Sequence, residues 1–169
     1  MSTPMSNPSE SWDALARAAS RGDTPAEVSQ MLHLLSFKLD GAPYAIHVAS
    51  VQEIVRMRVI APVPRVHSDV RGVISLRGVI VQVIDLRRRL NLREKELSRT
   101  SRIIVVQDAG GMLSGLLVDS VTEVIRIAED TLLPGPGSEA GAVEALCARG
   151  DTFVSLINLD RVLEFGSEG

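Results

Sequence analysis

The chain has 169 residues, a hydrophobic fraction of 45% and a formal net charge of −3. That length suits one domain or two small units fused into one, and the acidic balance gives no long-range attraction to nucleic acid or anionic lipid. A lone cysteine, Cys147, allows no internal disulfide and suits a reducing compartment, and nothing approaches the ~18 consecutive apolar residues of a membrane span, so direct membrane insertion is not expected. Residues 1–10 are polar and lack the apolar segment of a secretory leader, so the expected location is cytoplasmic. The aromatics are few (Trp12, Phe37, Tyr44, Phe153 and Phe165), which makes the expected core aliphatic.

Residues 1–30 differ in composition from the rest of the chain, and they are read as an N-terminal extension to a domain spanning 31–166. The first eleven are rich in Ser and Pro and predict disorder. Trp12, Leu15, Ala16 and Ala19 fall at helical spacing, which allows one short amphipathic helix before Gly22. Thr24-Pro25-Ala26-Glu27 has the form of a capping box with proline at the first helical position.

From Leu32 the apolar period changes to two. Residues 32–39 and 44–48 read as a hairpin around Asp40-Gly41-Ala42-Pro43. Residues 51–55 are short enough to be a helical turn or a bend between strands. Pro62 and Pro64 make 60–66 an extended connector, because proline disfavours helix at and before itself. Residues 79–84 are β-branched at every position except Gln82, so a strand covered on both faces is predicted. Arg77-Gly78 precedes it as a turn that leaves the arginine projecting. Asp85 is placed to cap a short helix through Leu90, and the run Arg87-Arg88-Arg89 reads as a solvated helix face.

The second half continues in the same style. Arg102–Gln107 and residues 112–118 read as strands about a turn at 108–111, and 121–127 as a partly covered strand. Pro134-Gly135-Pro136-Gly137 marks a loop. Residues 145–149 and Thr152–Ile157 form a last hairpin about Gly150-Asp151, and Asn158 caps a closing helix with Leu159, Val162 and Leu163 inward. About ten short strands at this spacing predict an all-β fold of small barrels or sandwiches.

Chemistry-bearing patterns are sparse. His33, His47 and His67 show no metal-ligand spacing, and Cys147 lies in an apolar strand without a neighbouring base. No nucleophile elbow, phosphate loop or paired carboxylates appear. Neither catalysis nor a cofactor is expected.

Four motifs in order, Val51-Gln52-Glu53-Ile54, Gly72-Val73-Ile74-Ser75-Leu76-Arg77-Gly78-Val79-Ile80, Ile84-Asp85-Leu86-Arg87 and Gly115-Leu116-Leu117-Val118-Asp119-Ser120-Val121, resemble the CheW family of bacterial chemosensory coupling proteins. The resemblance implies two packed five-stranded SH3-like β-barrels. It also implies a non-enzymatic scaffold that ties a CheA-type histidine kinase to the cytoplasmic tips of methyl-accepting chemoreceptors. Carried over by motif, the receptor-facing groove involves Val51, Glu53, Ile54, Gly72, Leu76, Arg77 and Gly78, while the motifs isolate no kinase contact. Val51 and Ile54 read equally as core or contact, and Arg77 either meets a partner or pairs internally with Glu53. Two positions depart from the family pattern: Ser75 stands where asparagine is usual, and Gln82 where proline is frequent. A small-barrel nucleic-acid binder is the alternative, but no strand here carries two aromatics for base stacking and the charge balance is acidic.

Overall fold

The computed structural model describes residues 30–135 and 141–165. The readings for the N-terminal extension, and those for Pro136 and Gly137, lie outside the described residues. Eleven strands and two short helices are described, in the order β1 (Met31–Leu39), β2 (Ala42–His47), β3 (Val51–Arg56), β4 (Val70–Leu76), β5 (Val79–Asp85), α1 (Leu86–Arg89), β6 (Arg102–Gln107), β7 (Leu113–Val118), β8 (Ser120–Ala128), β9 (Leu133–Pro134), β10 (Val143–Arg149), β11 (Thr152–Ile157) and α2 (Leu159–Leu163). The architecture is all-β, as expected. Residues 51–55, ambiguous in sequence, form strand β3 because they pair antiparallel with β6.

The strands divide into a five-stranded sheet, order β3-β6-β7-β5-β4, and a six-stranded sheet, order β8-β1-β2-β11-β10-β9, whose last member has only two residues. The five-stranded sheet is contiguous in sequence, whereas the six-stranded one joins the β1–β2 hairpin to the C-terminal strands. Two pairings are parallel: β5 with β7, and β2 with β11.

Each sheet curls around its own aliphatic core, and a third core lies between them. Val55, Ile74, Leu76, Val81, Val83 and Ile103 pack inside the five-stranded sheet, and Leu34, Ala45, Ile125, Cys147, Val154 and Leu156 inside the six-stranded one. Successive side chains on a strand point to opposite faces, so in β1 Leu34 enters its own sheet while Leu35, Phe37 and Leu39 reach the shared core. There they meet Ile84, Ile104, Val106 and Leu116 from the other sheet. Strands buried on both faces read as continuous apolar runs. This accounts for β5 only from Val81 onward: Val79 and Ile80 are exposed, Ile80 at 65%, because the hairpin tip extends past the shared core. The expectation of full coverage is corrected at those two positions.

Both predicted helix caps form. Asp85 accepts from the backbone N–H groups of Arg87 and Arg88, and Asn158 from that of Arg161. Asp40-Gly41 make a two-residue hairpin turn, with φ of 55° and 80° and Leu39 facing Ala42; this is the twist-matched geometry such hairpins favour.

The connector between β3 and β4 seals an edge of the five-stranded sheet. Ala61 and Val73 exchange backbone hydrogen bonds of 2.9 and 2.8 Å. Gly72, at φ 148°, permits this approach: a Cβ there would overlap the Ala61 carbonyl oxygen and sit 2.8 Å from its carbon.

Candidate partner-docking site

Arg77 and Gly78 form the tip of the β4–β5 hairpin, with φ of 54° and 83° and Leu76 facing Val79. The turn holds the Arg77 backbone while 76% of its side chain stays exposed. Its guanidinium forks onto Glu53: Nη1 donates to Oε1 and Nη2 to Oε2, the latter at 3.4 Å. Glu53 lies on β3, at the opposite end of the sheet order from β4, so the ion pair joins the two edges of the curled sheet. The internal pairing therefore forms. Pairs this exposed contribute about 0–1 kcal/mol, so the pair adds little to stability.

The other groove residues divide by depth. Ile54, beside Glu53 on β3, is 41% exposed. Val51 is half-buried against the shared core. Leu76 is 8% exposed and packs inside the sheet, and Gly72 is buried under the connector. The surface thus joins Glu53 to Arg77 and Gly78; Ile54 pairs with Ile104 and faces the other side of β3, Val51 turns to the shared core, Leu76 lies inside the sheet and Gly72 lies under the connector. Ile80, which ends the second motif, and Met112, outside the motifs, add exposed apolar surface. The parallel register, with Gln82 beside Ser114, brings Ile80 on β5 alongside Met112, the residue that precedes β7. Their exposure depends on where the shared core ends, which is a tertiary property.

The arginine run is not a solvated face, and that expectation is overturned. Arg87 has a side chain only 6% exposed; its Nε donates to Asp119 Oδ1 at 2.8 Å, and its Nη1 lies 3.5 Å from Asp40 Oδ1. Asp119 Oδ2 in turn accepts from the Asp40 backbone N–H at 2.8 Å. Arg87 sits between strands of the five-stranded sheet and Asp40 in the β1–β2 turn of the other, so it ties the two together. Arg88 faces Glu94 at 3.1 Å. Arg89 donates to the backbone carbonyls of Val162, Arg161 and Glu164 and stacks on the Phe165 ring at 4.6 Å. The carboxylates and carbonyls that consume these charges come from distant parts of the chain.

The histidines stay apart in local pairs, His47 with Glu144 and His67 with Asp69, each at 3.6 Å. Among the described residues no cluster of three metal-ligating side chains occurs. Burial pushes the Cys147 thiol up, and the nearby Arg149 charge only partly offsets this. None of the described helices is long and apolar enough to cross a membrane.

The described fold is thus two curled sheets that share one core, with an exposed guanidinium on a hairpin tip. The chain belongs to the CheW family, matching the CheW-like domain over residues 33–166. It is 32% identical over 143 residues to the chemotaxis protein CheW of Bacillus subtilis, covering 82% of this chain and 91% of the relative. It is 29% identical over 120 residues to protein FrzA of Myxococcus xanthus, covering 68% of this chain and 74% of that one. Among solved structures it is similar to the scaffolding protein TtCheW from Thermoanaerobacter tengcongensis, with a TM-score of 0.74, 33% identity, and coverage of 80% and 94% respectively. The chain is a non-enzymatic scaffold of chemotaxis or related motility signalling.

Proposed function

We propose that this scaffold couples a CheA-type histidine kinase to the cytoplasmic tips of methyl-accepting chemoreceptors, working in the cytoplasm and recruited to receptor arrays. The coupling unit is residues 31–166, with 1–30 as an extension. The observation that carries the receptor half is Arg77: exposed, fixed by a two-residue turn, and paired only at the surface with Glu53. Gly78 keeps the tip narrow, and Ile54 offers exposed apolar surface on the other face of β3.

The test is Arg77→Glu. Away from caps and cores, surface substitutions change stability by about 0.5 kcal/mol or less, and the lost Glu53 pair adds about 1 kcal/mol at most. Loss of a desolvated interface arginine costs about 2 kcal/mol of binding, roughly a factor of thirty in affinity. The variant is expected to fold, to lose receptor-tip binding in pull-down and calorimetry, and to keep kinase binding measured alone. Unchanged receptor affinity in a folded variant would move the groove elsewhere.

A further inference from the structure

Among the described residues, four other than glycine hold positive φ: Asp40 (55°), Arg65 (62°), Arg77 (54°) and Asn91 (62°). Asp and Asn tolerate this region because their short side chains bond locally. Arginine has no such compensation. Backbone held where its residue type does not belong tends to mark places kept for function. Both arginines are exposed, and one is the proposed receptor contact. The other, Arg65, stands at a cavity of about 770 Å³ lined also by Val66, His67, Val70, Gln82 and Phe165.

One face of β5 links that cavity to the Arg77 tip: the exposed Ile80 leads to Gln82 on the same face, which lines the cavity and donates to Ser114 Oγ at 3.3 Å. Arg77 to Gln82 spans about 16 Å of strand at ~3.3 Å per residue, the length of about three turns of α-helix. The charge at the far end is positive. Arg89 beside it is already engaged by Asp69 and the Phe165 ring, whereas Arg65 forms no ion pair or side-chain hydrogen bond among the described residues.

We propose that Arg65 is a second recognition residue of the receptor-facing surface. It takes a carboxylate of the receptor tip that meets Arg77, while a large apolar side chain of the same tip enters the cavity between Val66 and Phe165. This rests on Arg77 being the receptor contact.

The test compares Arg65→Asn, Arg65→Glu and Arg77→Glu in the full chain, against a purified receptor-tip fragment and separately against the kinase. Arg65→Asn removes the guanidinium but suits positive φ, so its thermal midpoint is expected to equal or exceed that of the parent. Its receptor affinity is expected to fall about tenfold, with a shallower salt dependence and unchanged kinase affinity, and Arg65→Glu to fall further. If both Arg65 variants bind receptor as the parent does while Arg77→Glu does not, the Arg65 assignment is overturned and the receptor reading stands. If Arg77→Glu also binds normally, the receptor reading itself fails. A lowered midpoint in Arg65→Asn would also overturn the assignment, since the guanidinium would then be structural.

Discussion

Arg87→Met is expected to cost about 3 kcal/mol of stability, the low end of the range for removing one partner of a buried ion pair. Methionine fills much of the volume, but it strands Asp119 and Asp40, which now face the guanidinium from two directions. The low end applies because both carboxylates keep some contact with water. For a domain of this size the thermal midpoint should drop by about 10 °C, read by calorimetry or urea titration. Arg87→Lys should recover only part of this, because one ammonium cannot reproduce the fork onto Asp119.

The pH dependence gives a second readout of the same interaction. Burial works against ionisation of Asp119, but hydrogen bonds from Arg87 and the Asp40 N–H, with the Arg87 charge, outweigh it and hold the carboxyl below its usual range. A depressed folded value means that the stabilisation is fully present above the unfolded value, about 3.9, and is lost as pH falls through the folded one. The stability gap between parent and Arg87→Met should therefore be constant near neutrality and shrink below about pH 4. A gap independent of pH across that window would remove Asp119 from the account.

Gly72→Ala is expected to be comparably damaging for a different reason. The new methyl would occupy the position of a backbone oxygen, which cannot swing aside as a side-chain end does. Overpacking costs about 1–3 kcal/mol and the positive φ adds about 1–3 kcal/mol. Together they should lower stability by about 3 kcal/mol or prevent accumulation of folded protein. Hydrogen exchange at the Val73 amide, which donates to Ala61, should accelerate more than the global stability loss explains. Gly78→Ala is the control: its Cβ meets nothing within 4 Å, so only the left-handed backbone is penalised, about 1–2 kcal/mol. Equal effects at the two glycines would refute the close-approach argument.

Local chemistry was legible in the sequence. The strands Arg102–Gln107 and Thr152–Ile157, the caps Asp85 and Asn158, and the Asp40-Gly41 turn all follow from alternation and side-chain preference over a few residues. Features that depend on distant partners were not. The fate of β3 was set by β6, and the burial of Arg87 by Asp119 and Asp40. A run of three arginines looks the same in sequence whether water or a neighbouring barrel receives it. At the site, the option of a Glu53–Arg77 pair was readable from residue types. Depth was not readable, which is why Leu76, a core residue, stood beside Arg77 as a contact.

The join between β2 and β11 places an ordering constraint on biosynthesis. The five-stranded sheet is complete once β7 has been made, but the β1–β2 hairpin belongs to a sheet whose other members are all translated later. At about 5–20 residues per second, that hairpin waits several seconds with Leu34, Phe37 and Ile46 lacking their final neighbours. Such non-local pairing also slows the folding search itself. The six-stranded sheet therefore closes only after β8 to β11 have left the ribosome, so it is the second of the two to form during synthesis.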